Sequence, residues 1–185
     1  MPDHQSQENV SRRKALKIIV GSAGAAVSLP VSLPLVPPSR LAGSPVAQAN
    51  EAAAEQIGWP ELAEQVAAVV GALPPGERDS VVVLAGTYGE AGALERFGPA
   101  LGLPLPVSAH NSYWYWRRPH DDGATVVAVR QTPAYLDRWF RHCEVAARVD
   151  NGLGVDNEAQ GKPISVCRGL RGSWRTVWPQ MRFLS

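Results

Sequence analysis

Cysteine, lysine and any surplus of charge are what this chain has least of. Cysteine occurs twice, at Cys143 and Cys167, too few for a structural zinc site, which takes four nitrogen or sulfur donors at close spacing. The two residues permit one disulfide if the chain is exported, or stand as two small buried side chains in neighbouring strands. The formal net charge is +1, so the basic excess that a nucleic-acid binder needs is missing. Only Lys14, Lys17 and Lys162 are lysines among the 18 basic residues, a bias that carries no argument about function. No serine stands in a G-x-S-x-G setting and no cysteine and histidine share a motif spacing, so no nucleophile announces itself. No internal repeat is present, and neither a metal site nor a cofactor is expected.

Glycine and proline, by contrast, are plentiful at 17 and 16, with the prolines crowded between Pro30 and Pro45. Residues 1–10 are polar and read as a disordered tail. "SRRKALK" (11–17) then precedes "IIVGSAGAAVSLPVSLPLVPPS" (18–39), which holds no charge. At about 1.5 Å per residue some 20 residues cross a bilayer, so 11–38 is expected to be a membrane anchor. Its basic flank keeps the N-terminus inside, which predicts a single-pass cell-membrane protein with the remainder outside the cytoplasm. The same residues also fit a twin-arginine export signal, Ser11-Arg12-Arg13 with Leu16-Lys17, cleaved after Ala47-Gln48-Ala49. Residues 39–56 read as a linker.

From residue 57 to 185 the periodicity is that of one domain. "WPELAEQVAAVVGAL" carries Leu62, Val66, Val69, Val70 and Leu73 at helical spacing, with Pro60 in the first turn. "SVVVLAG" (80–86) and "ATVVAVR" (124–130) are apolar runs of strand length, and "LPVSA" (105–109) is a shorter one. "GEAGALERFGPALG" (89–102) reads as a helix broken near Gly98-Pro99, and "PAYLDRWFRH" (133–142) as a helix starting at its proline. "CEVAARV" (143–149) alternates like a half-exposed strand, "ISVCRGL" (164–170) is a last strand, and "SWRTVWPQM" (173–181) a closing helix. Strands separated by helices predict an α/β fold, a small Rossmann-like domain with a largely parallel sheet and helices on both faces, preceded by the one N-terminal membrane helix.

Ligands of such sheets bind at the carboxyl ends of the strands, which nominates "GTYGEAG" (86–92) and "SAHNSYWYW" (108–116). The glycines of the first loop resemble a phosphate loop only loosely, because Glu90 puts a carboxylate where the phosphate would sit. A tight turn whose Glu90 complements the helix dipole is the alternative, and Tyr88 and Glu90 would suit a neutral polyol. In the second loop His110 and Asn111 precede Tyr113, Trp114, Tyr115 and Trp116. An extended run would point the tyrosines one way and the tryptophans the other, leaving one face for a sugar ring and one for the core. Arg117-Arg118 is cancelled by Asp121-Asp122, so nucleic acid is not expected. The polar loop Asp150, Asn151, Asp156, Asn157, Glu158 misses the calcium-loop spacing.

The phrases "EQIGWPEL", "LAGTYGEAGALERFGPALGLP", "HNSYWYW", "VDNGLGVDNEAQGKPISVCRGLRGSW" and the closing "WP" together resemble the C-terminal extracytoplasmic domain of bacterial glycosyltransferase family 39 proteins, which are similar to the protein-O-mannosyltransferases. That resemblance implies sugar transfer from a polyprenyl-phosphate donor at a membrane. It also implies a polytopic catalytic part, here absent, so no catalytic residue carries over and a truncated or split form is implied. The expected role is that of a non-catalytic accessory or acceptor-binding domain. Its partners would be the membrane, a separate polytopic glycosyltransferase subunit and a glycan or lipid-linked sugar. The alternative is an independently exported enzyme or glycan-binding protein with its site at the 86–92 and 108–116 loops.

Overall fold

The computed structural model describes residues 54–184. The expected tail, the anchor or signal at 11–38 and the linker up to residue 53 lie outside the described residues. Among the described residues no helix is long and apolar enough to cross a membrane. The expectation of a single-pass membrane protein is corrected accordingly.

The chain opens with α1 (Trp59–Gly71), entered from Gly58 with Pro60 in its first turn. Gly58 has φ 88°, and a Cβ there would lie 2.4 Å from Asn151 Cβ, so this entry admits only glycine. A short α2 (Pro75–Arg78) leads into β1 (Val82–Ala85), α3 (Tyr88–Phe97) and β2 (Val107–Ser108). A 3-10 turn, Pro99–Leu101, follows α3 where Gly98-Pro99 breaks it. Next come β3 (Thr125–Val129), α4 (Pro133–Trp139), β4 (Phe140–Arg148), β5 (Pro163–Leu170) and α5 (Trp174–Met181).

The five strands form one sheet in the order β2-β1-β3-β5-β4. β1 is parallel to both β2 and β3, whereas β5 is antiparallel to β3 and to β4. The predicted Rossmann-like, largely parallel sheet is therefore wrong: the sheet is mixed, and its longest strands are the antiparallel ones. The physical reason lies in the connections. α4 runs straight into β4 at Phe140, and β4 reaches β5 through the loop 149–162, which contains no helix. Without a crossover element two adjacent strands pair antiparallel, and β5 is inserted between β3 and β4.

Strand side chains divide into two buried clusters. Val83, Ala85, Val127, Val129, Ile164 and Val166 pack with Leu62, Val66, Val69 and Leu94 of α1 and α3. Val82, Leu84, Val126, Ala128 and Cys167 pack on the other face with Leu136 of α4 and Trp174, Val177, Trp178 and Met181 of α5. Both α3 and α5 begin in capping boxes, Thr87 with Glu90 and Ser173 with Thr176. At the amino end of β3, Glu77 accepts hydrogen bonds from Thr125 and from Arg168 of β5. Arg168 holds the Glu77 carboxyl below its usual value.

Cys143 and Cys167 face each other across β4 and β5 and are bonded, closing a sequence separation of 24. Restricting the unfolded chain by a loop of this size stabilises the fold by about 3 kcal/mol. The double substitution Cys143→Ala with Cys167→Ala is expected to lower the unfolding free energy by that amount, read from a fall in the urea midpoint. An unchanged midpoint in equilibrium unfolding would show that the bond contributes nothing.

Candidate functional site

β1 and β3 are parallel neighbours whose chains leave to opposite faces, β1 into α3 and β3 into α4. The sheet order therefore reverses here, and the carboxyl ends of β1 and β3 form a topological switch point, the position at which α/β sheets bind ligands. Gly86 ends β1 at this point. A Cβ on it would lie 2.9 Å from both Glu90 Oε2 and the Val129 carbonyl, so the close approach of α3 to the end of β3 requires glycine.

Glu90 fills this switch point. Its carboxylate accepts the Thr87 N–H at 2.8 Å and the Arg130 Nη1 at 3.2 Å, and the side chain is 4% exposed. Arg130 stands just past β3 in the left-handed region, φ 61°, and its second nitrogen reaches Glu158 Oε2 at 2.5 Å. A bulky residue at positive φ is strained, and two carboxylates hold this one in place.

Burial raises the Glu90 pKa, more strongly than Arg130 and the Thr87 hydrogen bonds lower it. Burial also opposes the charge on Arg130, but Glu90 and Glu158 outweigh it and keep the guanidinium protonated. The two shifts pull the pair in different directions. The titrating member is Glu90, because it is the deeper group and shares its one cation with Glu158.

His110 meets the first loop directly. Its Nδ1 accepts the Tyr88 N–H at 3.3 Å, and its ring lies 5.1 Å from the Tyr88 ring and 4.8 Å from Phe183, parallel to the latter. Burial, with Arg130 nearby, lowers its pKa, which agrees with a neutral ring accepting at Nδ1. The C-terminal segment is held there by the Asn111 N–H to the Phe183 carbonyl and the Phe183 N–H to the Ala109 carbonyl.

The aromatic run is a 3-10 helix, Asn111–Tyr115, entered at Asn111 with φ 51°. The expected extended alternation is overturned, because at three residues per turn Tyr113 and Trp116 come to one side, with ring centroids 5.2 Å apart. Tyr113 is buried, donates its hydroxyl to Glu95 at 2.5 Å, and has its pKa pushed up to about 12 by that burial and by Glu95. Trp114 stacks on Trp178 and donates Nε1 to the Trp178 carbonyl at 3.0 Å. Tyr115 and Trp116 are exposed, 63% and 72%, and the Arg182 guanidinium lies 4.6 Å from the Tyr115 ring centroid.

The structure thus joins Tyr88, Glu90 and His110 in one place and brings in Asn111 through the backbone. Tyr113 and Trp114 go to the core, Tyr115 lies outside beside Trp114 and Arg182, and Trp116 lies outside against Tyr113. Sequence reasoning missed Arg130, Phe183 and Arg182. Arg130 carried a usable signal: it is the charged residue ending the apolar run "ATVVAVR", at a strand's carboxyl end. The polar loop is tied by its own side chains, with Asn151 Oδ1 accepting from Leu153 and Val155 and its amide donating to the Val155 carbonyl. Among the described residues no group of three or more His, Cys, Asp or Glu could hold a metal ion.

Since the folded-state pKa of Glu90 lies above the unfolded one, the native chain binds more protons between the two values. Its contribution to stability therefore rises as pH falls through that interval and is lowest above it. Glu90→Gln keeps the N-cap acceptor and should flatten this part of the stability profile, measured as urea midpoints from roughly pH 4 to pH 8. A profile identical to the parent's would show that Glu90 is not the titrating group. No family model, curated protein or solved structure matches this chain.

Proposed function

We propose that the chain is a non-catalytic, glycan-recognising accessory domain that presents acceptor beside a separate membrane glycosyltransferase of family 39 type. The observation that supports this reading most is the meeting of the 86–92 and 108–116 loops at the carboxyl ends of β1 and β2, with the exposed Tyr88 ring against His110. A sugar ring offers an apolar face to an aromatic, and the exposed Tyr88 ring supplies that aromatic at the strand end. Tyr115 and Trp116 add two further exposed rings at the end of the second loop. The non-catalytic part of this reading is supported by the existing partners of the polar groups: Glu90 accepts from Thr87 and Arg130, and His110 Nδ1 accepts from Tyr88. The family assignment rests on the quoted phrases alone.

A second reading, a self-standing exported glycan-binding protein, is favoured by one observation. The Cys143–Cys167 bond suits an oxidising compartment whatever the chain's partners. Co-purification with a polytopic glycosyltransferase subunit would decide for the first reading.

Titration with a panel of neutral oligosaccharides, followed by tryptophan emission, tests the shared part. Tyr88→Ala and Trp116→Ala are each expected to weaken binding on the order of three- to ten-fold, with the far-ultraviolet dichroism unchanged. If no oligosaccharide perturbs the emission, or if both variants bind as the parent does, the glycan-recognition proposal falls.

A further inference from the structure

The sheet ends on an open edge with a symmetry of its own. β4 has a neighbour on one side only among the described residues, and Arg141, His142, Glu144 and Val145 along it are exposed. Cys143 and Cys167 are directly opposed with their Cα atoms 4.1 Å apart, the spacing of a non-hydrogen-bonded antiparallel pair. The N–H and C=O of Cys143 therefore point away from β5, and by alternation so do those of Arg141 and Val145. These outward groups are what an added strand requires.

We propose that β4 pairs antiparallel with β4 of a second copy of this chain, about a two-fold axis at Cys143, forming one continuous sheet. In that register Arg141 lies opposite Val145 of the second copy and Cys143 opposite Cys143. All three outward-pointing residues thus find outward-pointing partners at once. On the face shared with Arg168, His142 falls opposite Glu144 of the second copy, twice by symmetry. Glu144 gives Arg168 one oxygen at 3.1 Å and is more than half exposed, so its other oxygen is free to accept from His142. Facing pairs of this kind add to strand association, and any register that set Arg141 against Arg148 would repel. The limits of the segment are symmetric too. Trp139, the last residue of α4, and Ala147, where the ladder shifts register, each stand four residues from Cys143. The bulge confines the contact to a short segment, so the dimer is weak and depends on concentration.

Sedimentation equilibrium of the full chain over a concentration series reads the outcome. The parent should pass from monomer to dimer, and Val145→Pro, which deletes one outward N–H where an edge strand tolerates proline, should remain monomeric with an unchanged thermal midpoint. His142→Glu places like charges opposite each other while facing Arg168 within its own chain. It should fold and weaken the dimer on the order of ten-fold. A parent that stays monomeric, or capture of an unrelated extended peptide without self-association, overturns the proposal. So does a dimer that persists unweakened in both variants.

Discussion

One close approach organises the carboxyl end of the sheet: α3 can start directly over the end of β3 only because Gly86 has no side chain. That approach buries the Glu90 carboxylate, and a buried carboxylate must be hydrogen-bonded or neutralised. Thr87 answers through the capping box and Arg130 through its guanidinium, at the cost of a left-handed backbone at Arg130. Glu158, from the loop joining β4 to β5, then completes the charge on Arg130. The loop between the antiparallel strands is thereby tied to the ends of the parallel ones through Arg130. The N-terminal end of α3, which would otherwise attract an anion, is already answered from within, and a neutral ligand suits it better.

The elements were legible in the sequence because each rests on a local signal. Leu62, Val66 and Val69 repeat at helical spacing, the valines of β1 and β3 form unbroken runs, and Thr87 with Glu90 is a capping pair. Their arrangement in the sheet was not read correctly, although part of it was available. The stretch from Val149 to Lys162 is rich in glycine, asparagine and aspartate and has no apolar period, so it could not supply the crossover helix that a parallel β4–β5 pair needs. The boundary at Phe140 was harder. "PAYLDRWFRH" keeps a helical pattern to its end, yet the chain turns to strand after Trp139, where Phe140 buries beside Trp174. Tertiary packing overrode local pattern there.

The site was half legible for a related reason. Strand-end reasoning found Tyr88, Glu90 and His110 from the runs that precede them. Arg130 follows β3 under the same rule, but a lone arginine at a strand end carries no glycine or aromatic signal of its own. The contacts of Phe183 and Arg182 carry no sequence signal at all, since only the folded chain brings residues so far from His110 and Tyr115 beside them. For the aromatic run the error was one of period: four consecutive rings suit an extended strand, but two residues of strand and a positive φ at Asn111 turn them into a 3-10 helix.

The two edges of the sheet divide the molecule's work. The candidate site gathers around β1, β2 and the end of β3, while the self-pairing edge is β4, separated from β3 by β5. Neighbouring strands lie about 4.8 Å apart, so the seam and the Tyr88–His110 site stand roughly 20 Å from each other across the sheet and do not compete. Antiparallel pairing of β4 about an axis perpendicular to the sheet reverses strand direction while preserving the faces. The carboxyl ends of β1 in the two copies would then point in opposite directions. Two copies so joined could not bring both sites onto one short ligand, but they could engage two parts of a long one. Any gain in avidity would follow from the length of the ligand rather than from a contact between the sites.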